Sequence, residues 1–200
     1  QGLALMKNTD LQKAAWVSGD VTAASLGYHA DLVIASYVLN EVSPEQQPQA
    51  VKALWDAAEQ LLLIVEPGTP AGFAELRKIR TQLLELGAHM VAPCPHSETC
   101  PIVGEDWCHF SCRVPRSRLH RQLKGGEVPY EDEKFAYLVV SKQPAQACTA
   151  RVLRHPVIET GRVTLELCDN CGKHKVMLRK KDASYKSARK LDHGDAFEQE

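Results

Sequence analysis

Long apolar runs are missing from this 200-residue sequence. No stretch reaches the roughly 18 residues that a membrane-crossing helix needs, so no helical span is expected and no membrane partner. The opening, QGLALMKNTD, has no charged segment followed by an apolar one, which argues against a secretory signal peptide there. It also lacks an initiator Met, and the sequence reads as the interior of a longer chain. No internal repeat and no low-complexity segment is visible. A strong overall charge is absent too, the net value being −1.

What is present suits a globular core: 44% of residues are hydrophobic and 24% charged. The length allows one ordinary domain, or one domain with a small appendage. The near-zero net charge hides a strong polarity. From His109 to Gly126 there are five basic residues, among them Arg113, Arg116, Arg118 and Arg121, and no acid. From Gly172 to Lys190, Lys173, Lys175, Arg179, Lys180, Lys181, Lys186, Arg189 and Lys190 face a single acid, Asp182. Such polarity points to a polyanion-binding face or to two solvated surfaces.

Hydrophobic periodicity predicts an α/β order. AAWVSGD (14–20) reads as a short strand, and ADLVIASYVLNEV (30–42) opens as a buried parallel strand. Ser43-Pro44 then signals a helix over 44–60, with Val51, Leu54, Trp55 and Ala58 on one face. LLLIVEPG (61–68) is a second buried strand. Residues 70–87 form an amphipathic helix stopped by Gly87. Residues 88–93 and 134–142 are strands on either side of a Cys-rich insertion. Alternation of strands and helices predicts a doubly wound parallel sheet, its last strands making a hairpin or antiparallel edge. After residue 145 the pattern changes to short β-like segments, ARVLRHPVI, GRVTLELC and KHKVMLRKK. A main domain over 1–145, with its insertion at about 93–130, and a small basic β-rich appendage over 146–200 are expected.

Four of the seven cysteines fall in APCPHSETCPIVGEDWCHFSC (92–112). A secreted disulfide frame fits an odd count poorly. Clustered cysteines in a reducing compartment hold metal or do redox work. Cys94, Cys100 and Cys108 are separated by five and then seven residues, and Pro93, Pro95 and Pro101 deter regular structure between them. CDNC (168–171) is a common half of a zinc site, and spacing alone favours zinc.

The strands ending in SGD, DLVIASYVLNE and LLLIVEPGTPAGF resemble the C-terminal half of a class I S-adenosylmethionine (SAM)-dependent methyltransferase. APCPHSETCP, WCHFSCRVPRSRLHRQLKGG, YEDEKFAYLVVSK and YKSARKLDHGD further resemble the Rsm-twenty-two family, over essentially the whole sequence. That resemblance implies a methyltransferase-like factor of the small ribosomal subunit that engages its ribosomal RNA during assembly and carries an iron–sulfur cluster. It would be a monomer off the ribosome, cytoplasmic if bacterial and in the mitochondrial matrix if eukaryotic. The family pattern assigns Cys94, Cys100, Cys108 and a distant Cys168 to a [4Fe–4S] cluster, which takes four thiolates. Cys171 is the alternative fourth ligand, and zinc the alternative metal. His96 and His109 would hydrogen-bond beside the cluster or ligate it, and Trp107 and Phe110 would shield it. Cys112 and Cys148 read as small buried residues.

In such a fold ligands sit at the carboxyl ends of the strands. Asp20 matches the position that holds the adenine amino group in that superfamily, or else is a turn aspartate. Ser36, Tyr37 and Asn40 should reach the mouth of the methyl-donor pocket, whereas Asp31 begins its strand. Glu66 either enters the cleft or is a buried structural carboxylate. The glycine-rich donor loop would lie upstream of Gln1, so SAM binding is expected of the full-length protein. No catalytic base stands out, and no Asn-Pro-Pro-Tyr type motif is present. Three functions compete: an RNA-binding assembly factor, an active ribosomal RNA methyltransferase, and a zinc-stapled RNA-binding module on an inactive fold.

Overall fold

The computed structural model describes residues 2–125 and 128–198. Gly126, the end of the first basic run, lies outside them. The chain begins with a short helix, α1 (Gly2–Met6), and a 3-10 turn over Asp10–Lys13. The strand expected at 14–20 does not form. Trp16 and Val17 are exposed there, and among the described residues no strand pairs with the segment to complete a ladder. The segment is anchored further on. Gln49 Nε2 donates to Thr22 O at 2.6 Å, and Val21 and Leu26 pack on the main core.

The first sheet follows: β1 (Ala30–Ser36), α2 (Gln47–Ala57), β2 (Ala58–Pro67), α3 (Pro70–Glu85), β3 (His89–Ala92), β4 (Phe110–Pro115), α4 (Arg118–Lys124) and β5 (Tyr130–Ser141). α2 starts three residues later than its first proline suggests. Pro48 has no N–H to give Pro44 O, so residues 43–46 make a turn and the helix begins at Gln47. It also ends early, because β2 starts at Ala58. α3 is capped by Thr69, whose hydroxyl accepts the Gly72 N–H at 3.1 Å. Gly68 and Gly72 are required by close approach. A Cβ on Gly68 would stand 2.6 Å from Phe135 N, and one on Gly72 2.2 Å from Pro67 O.

Strand order in this sheet is β1-β2-β5-β3, with β4 also on β5. β1 and β2 are parallel, while β5 runs antiparallel to β2, β3 and β4. The last strands thus pair antiparallel as expected, with β3 at the edge and β5 inserted between β2 and β3. Even-numbered residues of β2 and β5 (Leu62, Ile64, Ala136, Leu138, Val140) bury against Val51, Leu54 and Trp55 of α2 and Leu76, Ile79 and Leu83 of α3. Both helices pack into this one core, and β1 leaves Leu32 and Ile34 exposed. Among the described residues the sheet is thus covered by helices on one face, not on both. The architecture is mixed α/β with two sheets, consistent with a methyltransferase-like fold.

The second sheet holds β6 (Ala150–Val152), β7 (Val157–Glu159), β8 (Arg162–Asp169), β9 (Gly172–Arg179) and β10 (Ala196–Phe197), with α5 (Tyr185–Ala188) packed on it. β8 is central, pairing β6 and β7 on one side and β9 on the other, all antiparallel. Val163, Leu165 and Leu167 alternate inward and pack with Val152, Leu178, Tyr185 and Phe197. A third cluster joins the two sheets: Phe73 of α3, Ile102 of the Cys loop, and Leu153 and Cys168 of the second sheet. No helix of the described residues is long and apolar enough to cross a membrane.

Candidate functional site

The loop between β3 and β4 carries Cys94, Cys100 and Cys108 across the seam between the sheets. It is pinned at several points. Trp107 Nε1 donates to Gly68 O at 3.0 Å, and Arg154 Nη2 donates to Trp107 O at 3.0 Å and to Asp106 Oδ1 at 2.6 Å. Lys173 also pairs with Asp106, and with Glu166 at 2.8 Å. Burial would raise the Asp106 carboxyl, but Lys173 and Arg154 outweigh it and hold it below its usual range. Asp106 thus fastens the loop to the second sheet.

Cys94, Cys100, Cys108 and Cys168 line one cavity of about 40 Å³, with Phe73, Ile102, Phe110 and Leu153 among its apolar walls. All seven cysteines are free thiols. Cys171, by contrast, is exposed in the β8–β9 turn, its N–H donating to Asp169. Cys112 is exposed on β4 and Cys148 half-buried, so neither is the buried small residue expected. Burial raises the Cys94 thiol and the Cys108 thiol, and pushes Cys168 up to about 12, with the neighbouring cysteines adding to the last two. His96 is buried, with Nε2 3.7 Å from Cys168 Sγ. Burial, then Arg80, lowers its pKa. His109 stacks on Trp107 at 5.1 Å.

Three arginines without a sequence motif of their own line this cavity: Arg77, Arg80 and Arg151. Arg80, 5% exposed, donates to the carbonyls of His96 (2.9 Å) and Glu98 (2.7 Å), and its Nε has no partner. Arg151 donates to the carbonyls of Pro93 and Gly194, both at 2.9 Å. Among the described residues neither Arg80 nor Arg151 is paired with a carboxylate. A buried cation without a counter-charge is costly, and the nearby groups able to become anions are the thiols. Four thiols, with the buried Arg80 and the half-buried Arg151 beside them, suit an anionic iron–sulfur cluster, whose ligands are thiolates. As they stand, no three or more His, Cys, Asp or Glu side chains among the described residues are gathered closely enough to hold a single metal ion.

The expected donor-site residues lie elsewhere. Asp20 is exposed, and its Oδ1 accepts the Thr22 N–H at 2.8 Å and hydroxyl at 2.7 Å, a turn role. Ser36 ends β1, and Tyr37 follows with φ +55°. Tyr37 N–H donates to Val65 O at 2.8 Å, and Asn40 is exposed. Glu66 is buried; its Oε1 accepts the Leu39 N–H at 3.0 Å and so shapes the turn that presents Tyr37 and Asn40. Burial raises its pKa. Asp31 sits in β1 and accepts from Gln60 Nε2 at 2.7 Å.

The two basic runs come out differently. Arg113 pairs with Asp132 through Nε at 2.7 Å and Nη2 at 3.0 Å, and lies 3.9 Å over the Tyr130 ring. Arg116 Nε is 3.1 Å from Glu131, which His120 also approaches at 3.2 Å. The first run is therefore partly neutralised by β5, leaving Arg118 and Arg121 exposed on α4. In the second run Lys173 is committed to Asp106 and Glu166. Lys175, Arg179, Lys180, Lys181, Lys186, Arg189 and Lys190 are exposed, and among the described residues none is in an ion pair.

Comparison with known proteins decides the family. A family model described as mitochondrial small ribosomal subunit Rsm22 matches residues 2–198. The chain belongs to the Rsm22 family. Rsm22-cox11 tandem protein 2, mitochondrial, of Schizosaccharomyces pombe is 27% identical, covering 83% of this chain and 29% of its own length. Ribosome assembly protein METTL17, mitochondrial, of Homo sapiens is 26% identical, covering 82% of this chain and 39% of its own. This Rsm22 chain thus spans well under half the length of the curated relatives it matches.

Proposed function

We propose that this Rsm22 chain is the RNA-engaging part of a mitochondrial small-subunit assembly factor, with a [4Fe–4S] cluster held by Cys94, Cys100, Cys108 and Cys168. The names of its relatives favour the mitochondrial matrix over a bacterial cytoplasm. The observation that carries the RNA reading is the free cationic surface of β9, its following turn and α5. Seven side chains there have no protein counter-ion among the described residues, which is what phosphate binding requires. Ribosomal RNA would be held by shape and backbone rather than by a base code. Off the ribosome the protein would be a monomer.

The cluster's chemistry here is structural: it joins the loop to β8 and so fixes the cationic surface against the first sheet. Zinc, with Zn–S of about 2.3 Å, is the alternative metal for the same four thiols, and sulfide content separates the two. Ser36, Tyr37 and Asn40, at the carboxyl end of β1, would form one rim of a SAM site in the full-length protein. No residue is assigned to methyl transfer.

The test is metal content and RNA affinity together, on anaerobically purified full-length protein. Iron and sulfide in equal amounts, lost on Cys108→Ser, and RNA affinity falling steeply with salt are expected. Zinc without sulfide would overturn the cluster. A flat salt dependence would overturn the RNA reading.

A further inference from the structure

A second depression adjoins the cysteine cavity. It is a groove of about 620 Å³ along the outer side of α3, lined by Arg77, Lys78, Arg80, Thr81, Glu85 and Cys100 among others. Arg77, Arg80 and Cys100 also line the cavity, so the two spaces share a wall. Cys100 is the one cysteine common to both. The groove's charge is set by two arginines. Lys78 is paired with Glu75 at 2.6 Å, and Glu85 offsets one charge. Arg77 rests 5.7 Å over the Phe73 ring and is in no ion pair among the described residues, and the buried Arg80 keeps an unpartnered Nε.

We propose that this groove is the solvent port of the cysteine cavity. Cys100 is its threshold, and Arg77 and Arg80 favour small anionic compounds bearing a thiolate or carboxylate. Such compounds are the class that loads or strips a thiolate-held metal, so the groove is where the site exchanges with solution. The proposal deepens the cluster reading, but it rests on the placement of the thiols and can fail or stand without it.

Thiol labelling tests it on the full-length protein after metal removal. Neutral iodoacetamide and anionic iodoacetate are compared, and each cysteine is followed by peptide mass spectrometry. Cys100 should be labelled several-fold faster than Cys94, Cys108 and Cys168. Arg77→Glu should lower the iodoacetate-to-iodoacetamide ratio at Cys100 several-fold and leave it unchanged at the exposed Cys171. Thr81→Trp, at an exposed position on the groove wall, should slow both reagents at Cys100. Equal rates at all four cavity cysteines, or a ratio indifferent to Arg77→Glu, would overturn the port. In metal-loaded protein, iron release to a polyanionic chelator should slow in Thr81→Trp at unchanged iron content, and unchanged release would overturn the port as well. Iron and sulfide content reports on the cluster separately, so the two readings fail by different measurements.

Discussion

The β4–α4 arm and the β9–α5 surface are both dense in Arg and Lys along the sequence, yet they present different charges in space. β4 lies in register with the acidic start of β5, placing Arg113 opposite Asp132 and Val114 opposite Glu131. β9 pairs with β8, which sets Lys175 opposite Glu166, but Glu166 is already paired with Lys173 at 2.8 Å, and Asp182 accepts only the backbone N–H of Arg179; Lys175, Arg179, Lys180 and Lys181 therefore make no ion pair among the described residues. Unpaired lysines also blunt an edge strand against misassociation. A run of like charge stays free only where the acids facing it are absent or already paired.

That contrast can be broken by charge removal. Changing Lys180, Lys181, Lys186, Arg189 and Lys190 to Ala should cost the most RNA affinity. It should also flatten the salt dependence by about 0.9 in log–log slope for each phosphate no longer neutralised. Arg118→Ala with Arg121→Ala should act in the same direction, through at most about two phosphates. Glu131→Gln with Asp132→Asn sharpens the comparison from the other side. Freeing Arg113 and Arg116 should raise both affinity and slope, read by fluorescence anisotropy at several salt concentrations. Smallest of all, Arg113→Ala should leave the slope unchanged, since that side chain is already occupied. Its effect should appear instead as faster hydrogen exchange along β4.

The elements legible in the sequence were those written in local pattern. DLVIA and LLLIV announced β1 and β2, and the apolar period from Pro70 with Gly87 as its stop announced α3. Cys168 was assigned by resemblance; its place at the cavity wall depends on Phe73 and Ile102 covering the end of β8, which no local signal carries. The insertion of β5 between β2 and β3 is a long-range pairing, and the register that neutralises Arg113 is too. AAWVSGD had strand composition but no ladder partner among the described residues. Arg80 could have been noticed: it falls on the apolar stripe of Phe73, Leu76, Ile79 and Leu83, where a cation must find buried acceptors, here the His96 and Glu98 carbonyls. Asp106 gave no such sign, because its partners Arg154 and Lys173 come from far along the chain.

β5 has one further consequence. Its first half, Tyr130–Phe135, is zipped to β4, and its second half, Phe135–Ser141, is zipped to β2, with β3 on its other side. Phe135 belongs to both ladders, facing Phe110 and Pro67. The arm is therefore a lever whose shaft runs unbroken into the core, and a pull on its tip loads the central hydrogen bonds of the sheet in shear. A load applied to the tip would be carried inward along β5 and not taken up between arm and core.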